Sequence, residues 1–359
     1  MYEYKPDDAE TRSRLRAFWQ GESFGDRPAL LAFARNKTFV PTPWQGPALT
    51  RKQKDFDPDW HAWSQCENVR SYDCFAEATP SVNVNVGGLL TVLAVLAGGD
   101  YEYHDSAWIQ PWPDVLDNPV PQFDPACDAV RKWTACYRKL AEAVGSDAHV
   151  NPPVQIDALT TLSMFIGPDA LCVSLLEEPE KVKRWTRDAT SLYIACTDYF
   201  SRLLNGLGHA GSTSWLGTYS EGNMDAVQCD FAVMLSPEMF GEFVMPDLRR
   251  TTAFMRDALY HLDGTEQMRF IEQIASSPNL RGIQWNPAKH ALHPSEHMAH
   301  FKRIRELGLS LFTWVESVEH AVYITEQLGP DGLCLGLPRF ETEPEARAAI
   351  AAVERCRKR

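Results

Sequence analysis

Four short, apolar, β-rich runs in the C-terminal third each lead into a helical pattern, and that alternation leaves the chain few folds to choose from. The runs are "DALYHLDG" (257–264), "GIQWNPA" (282–288), "LSLFTWVES" (309–317) and "GLCLGLP" (332–338). Helical periodicity follows at 264–276, 294–307, 317–328 and 343–356. In "HPSEH", "ESVEH" and "TEPEA" a Ser or Thr precedes an acidic first turn, as helix N-termini prefer. Pro278, Gly308 and Gly329 fall at or just past the helix ends. Strand–helix units in series, roughly 25 residues each, predict parallel strands joined by crossover helices.

Earlier runs extend the series: "PALLAFA" (28–34), "SVNVNV" (81–86), "VQIDALT" (154–160), "GHAGSTSW" (208–215) and "DAVQCDFAV" (225–233). None leads into a dinucleotide-binding G-x-G-x-x-G or a P-loop, which favours a single (β/α)8 TIM barrel over an open doubly wound sheet. Residues 1–25 read as an N-terminal helical extension and 26–359 as the barrel. Helices over about 125–145 and 178–205 would cover its outside. Segments 35–72 and 104–125, rich in Pro and Trp, read as long loops over the mouth.

With 359 residues, 44% of them hydrophobic, the chain can bury a large core. Its 48 acidic and 35 basic residues give a net charge of −13, which argues against nucleic acid as a partner. The apolar stretch Leu89 to Ala97 falls far short of the ~18–20 residues that span a bilayer, and "MYEYKPDDAETRSR" lacks the apolar core of a signal peptide. Nine cysteines, an odd number with no C-x-x-C, suit a reduced cytoplasmic setting.

In a (β/α)8 enzyme the chemistry gathers at the C-terminal ends of the strands. That rule selects Asn83, Asn85, Trp215, Asp230, His261, Asp263, Trp285, Asn286, Trp314, Glu316 and Arg339. Alternation along a strand puts His261 and Asp263 on one face, and likewise Trp314 and Glu316. Asp230, between Cys229 and Phe231, is a carboxylate in an apolar run and needs a partner or a task. An imidazole beside a carboxylate can bind a divalent metal such as zinc, with Glu316 as third ligand, or act as a base oriented by an acid. Each also has a plainer reading: a histidine bonded to a carbonyl, an aspartate capping a helix, an acid in a first turn. Trp108, Trp215, Trp285 and Trp314 would wall an aromatic pocket for a flat or sugar-like ligand, or simply plug the mouth.

The order "GPDALCVSLLEEPEKVKRW", then "DAVQCDFAVMLSPEMFGEFVMPDLRR", then "YHLDG" resembles the uroporphyrinogen decarboxylase superfamily, which includes zinc- and cobalamin-dependent methyltransferases. The resemblance runs from about residue 80 to the C-terminus and implies one (β/α)8 barrel. The decarboxylases' arginine-rich motif, similar to "MRQAGRY", is here "LLAFARNKTF", keeping Arg35 and Lys37. Their Ser-Asp-Ile stretch is replaced by "SVNVNVGG", and their terminal "NLGHG" by "CLGLPRF". These departures argue against porphyrinogen decarboxylation. The methyltransferase branch holds zinc with a His-x-Cys pair and a later cysteine. Here the pair is His261 and Asp263, and Cys334 lies about three residues early. The resemblance implies transfer or removal of a methyl group on a small organic substrate, with a thiol or a corrinoid protein as acceptor. A metal-assisted lyase or hydrolase on a sugar-like ligand and a non-catalytic binding barrel are the alternatives. A homodimer is left open.

Overall fold

The computed structural model describes residues 5, 7–25, 27–88, 90–287 and 292–356. Eleven strands occur among them: β1 (Ala29–Arg35), β2 (Tyr72–Ala76), β3 (Ser81–Asn83), β4 (Tyr101–Tyr103), β5 (Ala107–Ile109), β6 (His149–Asn151), β7 (Met224–Val227), β8 (Asp257–Asp263), β9 (Leu280–Asn286), β10 (Ser310–Trp314) and β11 (Leu333–Phe340). A seven-stranded sheet has the order β2-β1-β11-β10-β9-β8-β7. Within it β2 is antiparallel to β1, and every other neighbouring pair is parallel. The parallel pair β3–β6 and the hairpin β4–β5 stand apart.

The C-terminal units keep the predicted strand–helix order, although the first two helices open as 3-10 turns and Ser295 lies inside one rather than capping Met298–Glu306. Helices Ile271–Ala275, Met298–Glu306, Val318–Leu328 and Glu343–Glu354 follow β8, β9, β10 and β11. Ser317 and Thr342 cap the last two, and Thr342 makes a reciprocal capping box with Glu345. Farther upstream the expected strands shift. "VQIDALT" begins the helix Ala158–Ile166, whose N-cap is Asp157, and the strand lies earlier as β6. "GHAGSTSW" is a loop with a single bridge from Ser212 to Ser220. "DAVQCDFAV" leaves the sheet after Val227 and turns into a 3-10 helix, Asp230–Met234.

Register divides the sheet into two faces. On one, Leu31, Leu259, Phe312 and Cys334 pack together into a small inner core. The same stripes climb to Phe33, His261 and Trp314 nearer the strands' C-terminal ends, so one face is apolar low down and functional at the rim. The opposite face packs under the helices in a much larger outer core. The helix Asp8–Trp19 stoppers the inner core from below with Leu15, Phe18 and Trp19. Trp19 Nε1 donates to the carbonyl of Tyr219 at 2.9 Å, and Ser310 Oγ to that of Phe18 at 2.7 Å.

No ladder joins β3–β6 to the larger sheet among the described residues. Side chains do the joining. Asn151 Nδ2 donates to Thr213 Oγ1 at 2.7 Å, while Thr213 N donates to Asn151 Oδ1 at 2.7 Å. Ser212 Oγ reaches the carbonyl of Met224 at 2.9 Å, continuing the link to β7. On the far side Glu77, 2% exposed, accepts from Leu30 N at 2.8 Å and from both terminal nitrogens of Arg27 at 2.5 and 2.9 Å. No single helix among the described residues is long and apolar enough to cross a membrane. All nine cysteines are free thiols.

Candidate functional site

A pocket of about 460 Å³ opens at the C-terminal ends of β1, β10 and β11, with Phe33, Tyr72, Trp215, Trp314 and Arg339 in its lining. Trp314 and Trp215 are 42% and 40% exposed, an unusual state for indoles unless a ligand covers them. Trp314 can lie flat because its partner in register on β11 is Gly336. A Cβ there would come within 2.0 Å of the indole. Arg339, exposed at the pocket edge, supplies a fixed positive charge.

Trp215 connects this pocket to the polar centre. Its ring meets His261 edge-on, with centroids 5.3 Å apart. The tautomer of His261 follows from its neighbour. Gln284 Nε2 donates to the carbonyl of Trp285 at 3.0 Å, so Gln284 Oε1 is the acceptor that faces His261 Nδ1. Nδ1 therefore carries the hydrogen, and Nε2 keeps its lone pair for a ligand. Two residues further along both strands, Asn286 Nδ2 donates to Asp263 Oδ1 at 2.6 Å.

Asp230 belongs to the same centre. It sits on the turn after β7, its Oδ1 accepting from Gln228 Nε2 at 3.1 Å. Its backbone N–H and that of Phe231 both donate to Thr160 Oγ1, at 3.1 and 3.2 Å. Burial pushes the Asp230 carboxyl above the usual carboxylate range, and the charge of Asp263 adds to the rise, against the pull of His261. Thr160 N in turn donates to Asp157 Oδ1 at 2.9 Å. Burial carries the Asp157 carboxyl up to about 7, with the charge of Asp230 adding to it.

The sequence candidates therefore divide. His261, Asp263, Asp230 and Asn286 come together, and Trp215, Trp314 and Arg339 line the adjoining pocket. Trp285 does not join them. Alternation turns it outward with Leu262, where it is 2% exposed and packs on His297, His300 and Phe301. Trp108 is exposed on the hairpin β4–β5, its Nε1 bonded to Asp105 at 2.8 Å. Asn83 ends β3, whereas Asn85 accepts from Gly88 N at 3.0 Å in a turn and faces a different groove beside Arg51 and His61. Glu316 is exposed and lines a separate cleft with Trp285 and His320.

That placement bears on a metal. A zinc site takes three or four protein ligands, and among the described residues no group of three His, Cys, Asp or Glu side chains could hold an ion. His261, Asp263 and Glu316 do not fit the role together, and Cys334 lies buried in the inner core.

Gln284, Gln228, Asp157 and Thr160 escaped the sequence reading. Gln284 carried a usable signal: in "QWN" the alternation that selects Asn286 for the inner face also selects Gln284 and excludes Trp285. Asp157 carried another, since D-x-x-T preceding an apolar run fits an N-cap as well as a strand end.

No family model matches the chain, and no curated protein matches it. Among solved structures, a methyltransferase from Methanosarcina mazei superposes with a TM-score of 0.61 over 96% of this chain and 98% of that one, at 14% sequence identity. The likeness is one of fold.

Proposed function

We propose that the chain is a methyltransferase-type enzyme, built on a (β/α)8 barrel like those of the uroporphyrinogen decarboxylase superfamily, acting on a small organic substrate in the rim pocket. The barrel would take β1, β3, β6 and β7 to β11 as its eight parallel strands, with side-chain links standing in for the β6–β7 ladder. The observation that carries the reading is His261, with a bare Nε2 beside an exposed indole and a carboxyl held towards neutrality at Asp230. Such a pair divides acid from base. Nε2 takes the proton from an S–H or O–H acceptor, whose lone pair then forms the new bond to the methyl carbon. The bond from that carbon to the leaving atom breaks, and Asp230 gives its proton to the leaving atom. Trp215 and Trp314 hold the methyl-bearing group and exclude water, while Arg339 pairs with an acidic substituent. The fold shared with a methyltransferase agrees with this reading.

The test offers purified protein a panel of ¹³C-methyl donors with methyl on sulfur, nitrogen or oxygen, plus a small thiol, with and without a reduced corrinoid. Transfer of label, read by NMR, is expected in the wild type. Asp230→Asn and His261→Asn should each lower it tenfold or more, about 1.4 kcal/mol of transition-state stabilisation, while circular dichroism stays unchanged. No transfer from any donor, together with quenching of tryptophan fluorescence by sugars, would replace this reading with the sugar-ligand one.

A further inference from the structure

Behind the centre, on the side of the outer helices, lies a second cavity of about 40 Å³. On the scale where one water needs roughly 10–15 Å³, it has room for a few waters or one very small ligand. Its polar lining is one-sided. Gln155 is 4% exposed, and its Nε2 is spent on the carbonyl of Tyr193 at 3.2 Å and on Thr197 Oγ1 at 3.0 Å. Those bonds fix the amide, and its Oε1 is left buried with no partner. Asp157 faces the same cavity, and its buried Oδ2 accepts from no nitrogen or oxygen donor; besides Thr160, only the weak S–H of Cys229 is directed at the carboxyl.

The donors nearby are already used. Tyr193 O–H bonds to Asp225 at 2.9 Å, and Gln228 Nε2 to Asp230. A second lining carboxylate, Asp247, is compensated by Arg250 at 3.4 Å. No cationic side chain compensates Asp157. Leu159, Val227, Phe243 and Leu248 make up much of the remaining wall. The orphaned Gln155 Oε1, a carboxyl met by a thiol but by no cation, and an apolar surround define what would be bound: a small cation that donates hydrogen bonds.

The geometry points to this cavity as a binding site for ammonium or a short primary alkylammonium ion, held between Gln155 Oε1 and Asp157 Oδ2. The ion's charge answers the carboxylate, two of its N–H bonds reach those two oxygens, and a methyl substituent would rest on Leu159 or Phe243. The cavity backs onto the rim centre, because Gln228 lines it and also holds Asp230.

Thermal unfolding of the full chain tests the site with ammonium, methylammonium and tetramethylammonium chlorides against sodium chloride at equal ionic strength. At about pH 8.5, ammonium or methylammonium should raise the midpoint by roughly 2–4 °C over sodium. Tetramethylammonium, with no N–H and too large for the space, should match sodium. Asp157→Asn should fold, since asparagine caps a helix as well as aspartate, and should lose the ammonium effect.

A second arm uses only the wild type. At about pH 5.5 Asp157 is protonated and the ammonium advantage should vanish. The other titratable groups about Asp157 are Cys229, Tyr193 and Tyr260, which burial keeps neutral throughout, and the carboxyls of Asp230 and Asp247. Asp157→Asn separates its contribution from those two. Equal midpoints in ammonium and sodium at the higher pH overturn the site. So does an effect that survives Asp157→Asn, persists undiminished at the lower pH, or is matched by tetramethylammonium.

Discussion

Gln284 decides what His261 can do. Because its amide nitrogen is held by the backbone, its oxygen can only accept, and the histidine is fixed with Nε2 bare. Gln284→Leu should leave the fold intact yet free the imidazole to take either tautomer, lowering the proposed methyl transfer by about tenfold or more. Gln284→Glu, which still accepts, should recover part of the loss and move the pH profile to higher pH. Asp157 makes a second prediction at this scale. An aspartate in an unfolded chain titrates near 4, against about 7 in the fold. Below 4 both states hold the proton. Between the two values the folded chain keeps a proton that the unfolded chain has released, so stability falls as pH rises, and above 7 the cost is complete. Asp157→Asn should therefore stabilise the protein at pH 8 by on the order of 2–4 kcal/mol and do little at pH 4, measured by urea unfolding at each pH. The sequence showed His261, Asp263 and Asp230 because charge in an apolar run is conspicuous. It hid the glutamines that aim them, because a neutral amide in a strand looks like any solvated side chain.

Among the elements, those with their own caps and periodicity were legible and those defined by neighbours were not. β8 to β11 and their helices could be read because apolar strands, Ser or Thr caps and Gly stops recur in order. "VQIDALT" was misplaced since its apolar run suits a strand, while the capping bond from Thr160 N to Asp157 turns it into a helix. β2 pairs antiparallel with β1, a contact that nothing in either segment announces. Just past β2, Glu77 ties that chain end to Arg27 and Leu30 at the start of β1, and this makes a sharp prediction. Glu77→Gln would leave the buried Arg27 with a neutral amide in place of its buried carboxylate and only the half-exposed Glu354 as a counter-charge. The expected loss is about 3 kcal/mol, read as a lower urea midpoint with little change in slope. Conversely, Glu221 bridges Arg16 and Arg256 among exposed side chains, where water screens both contacts, and Glu221→Gln should change stability by about 1 kcal/mol or less.

At the scale of the whole molecule, the N-terminal helix belongs to the inner core even though the sequence reads as an added extension. Phe18 is 1% exposed and touches the same cluster as Leu259 and Phe312. Phe18→Ala should cost about 3–5 kcal/mol, as a buried aromatic does. It should lower the midpoint of the entire unfolding transition without adding an early separate one. A distinct low-temperature step, with the remaining chain unaffected, would show the helix to be a detachable appendage.

The same stopper leaves the rim pocket as a cul-de-sac. Under the proposed function, substrate and product would share the one opening lined by Trp215 and Trp314. Turnover is then strictly sequential at that door, and a product that keeps the substrate's shape will occupy it in the substrate's place. Accumulating product should slow the enzyme competitively, in proportion to how much of the original molecule survives the reaction.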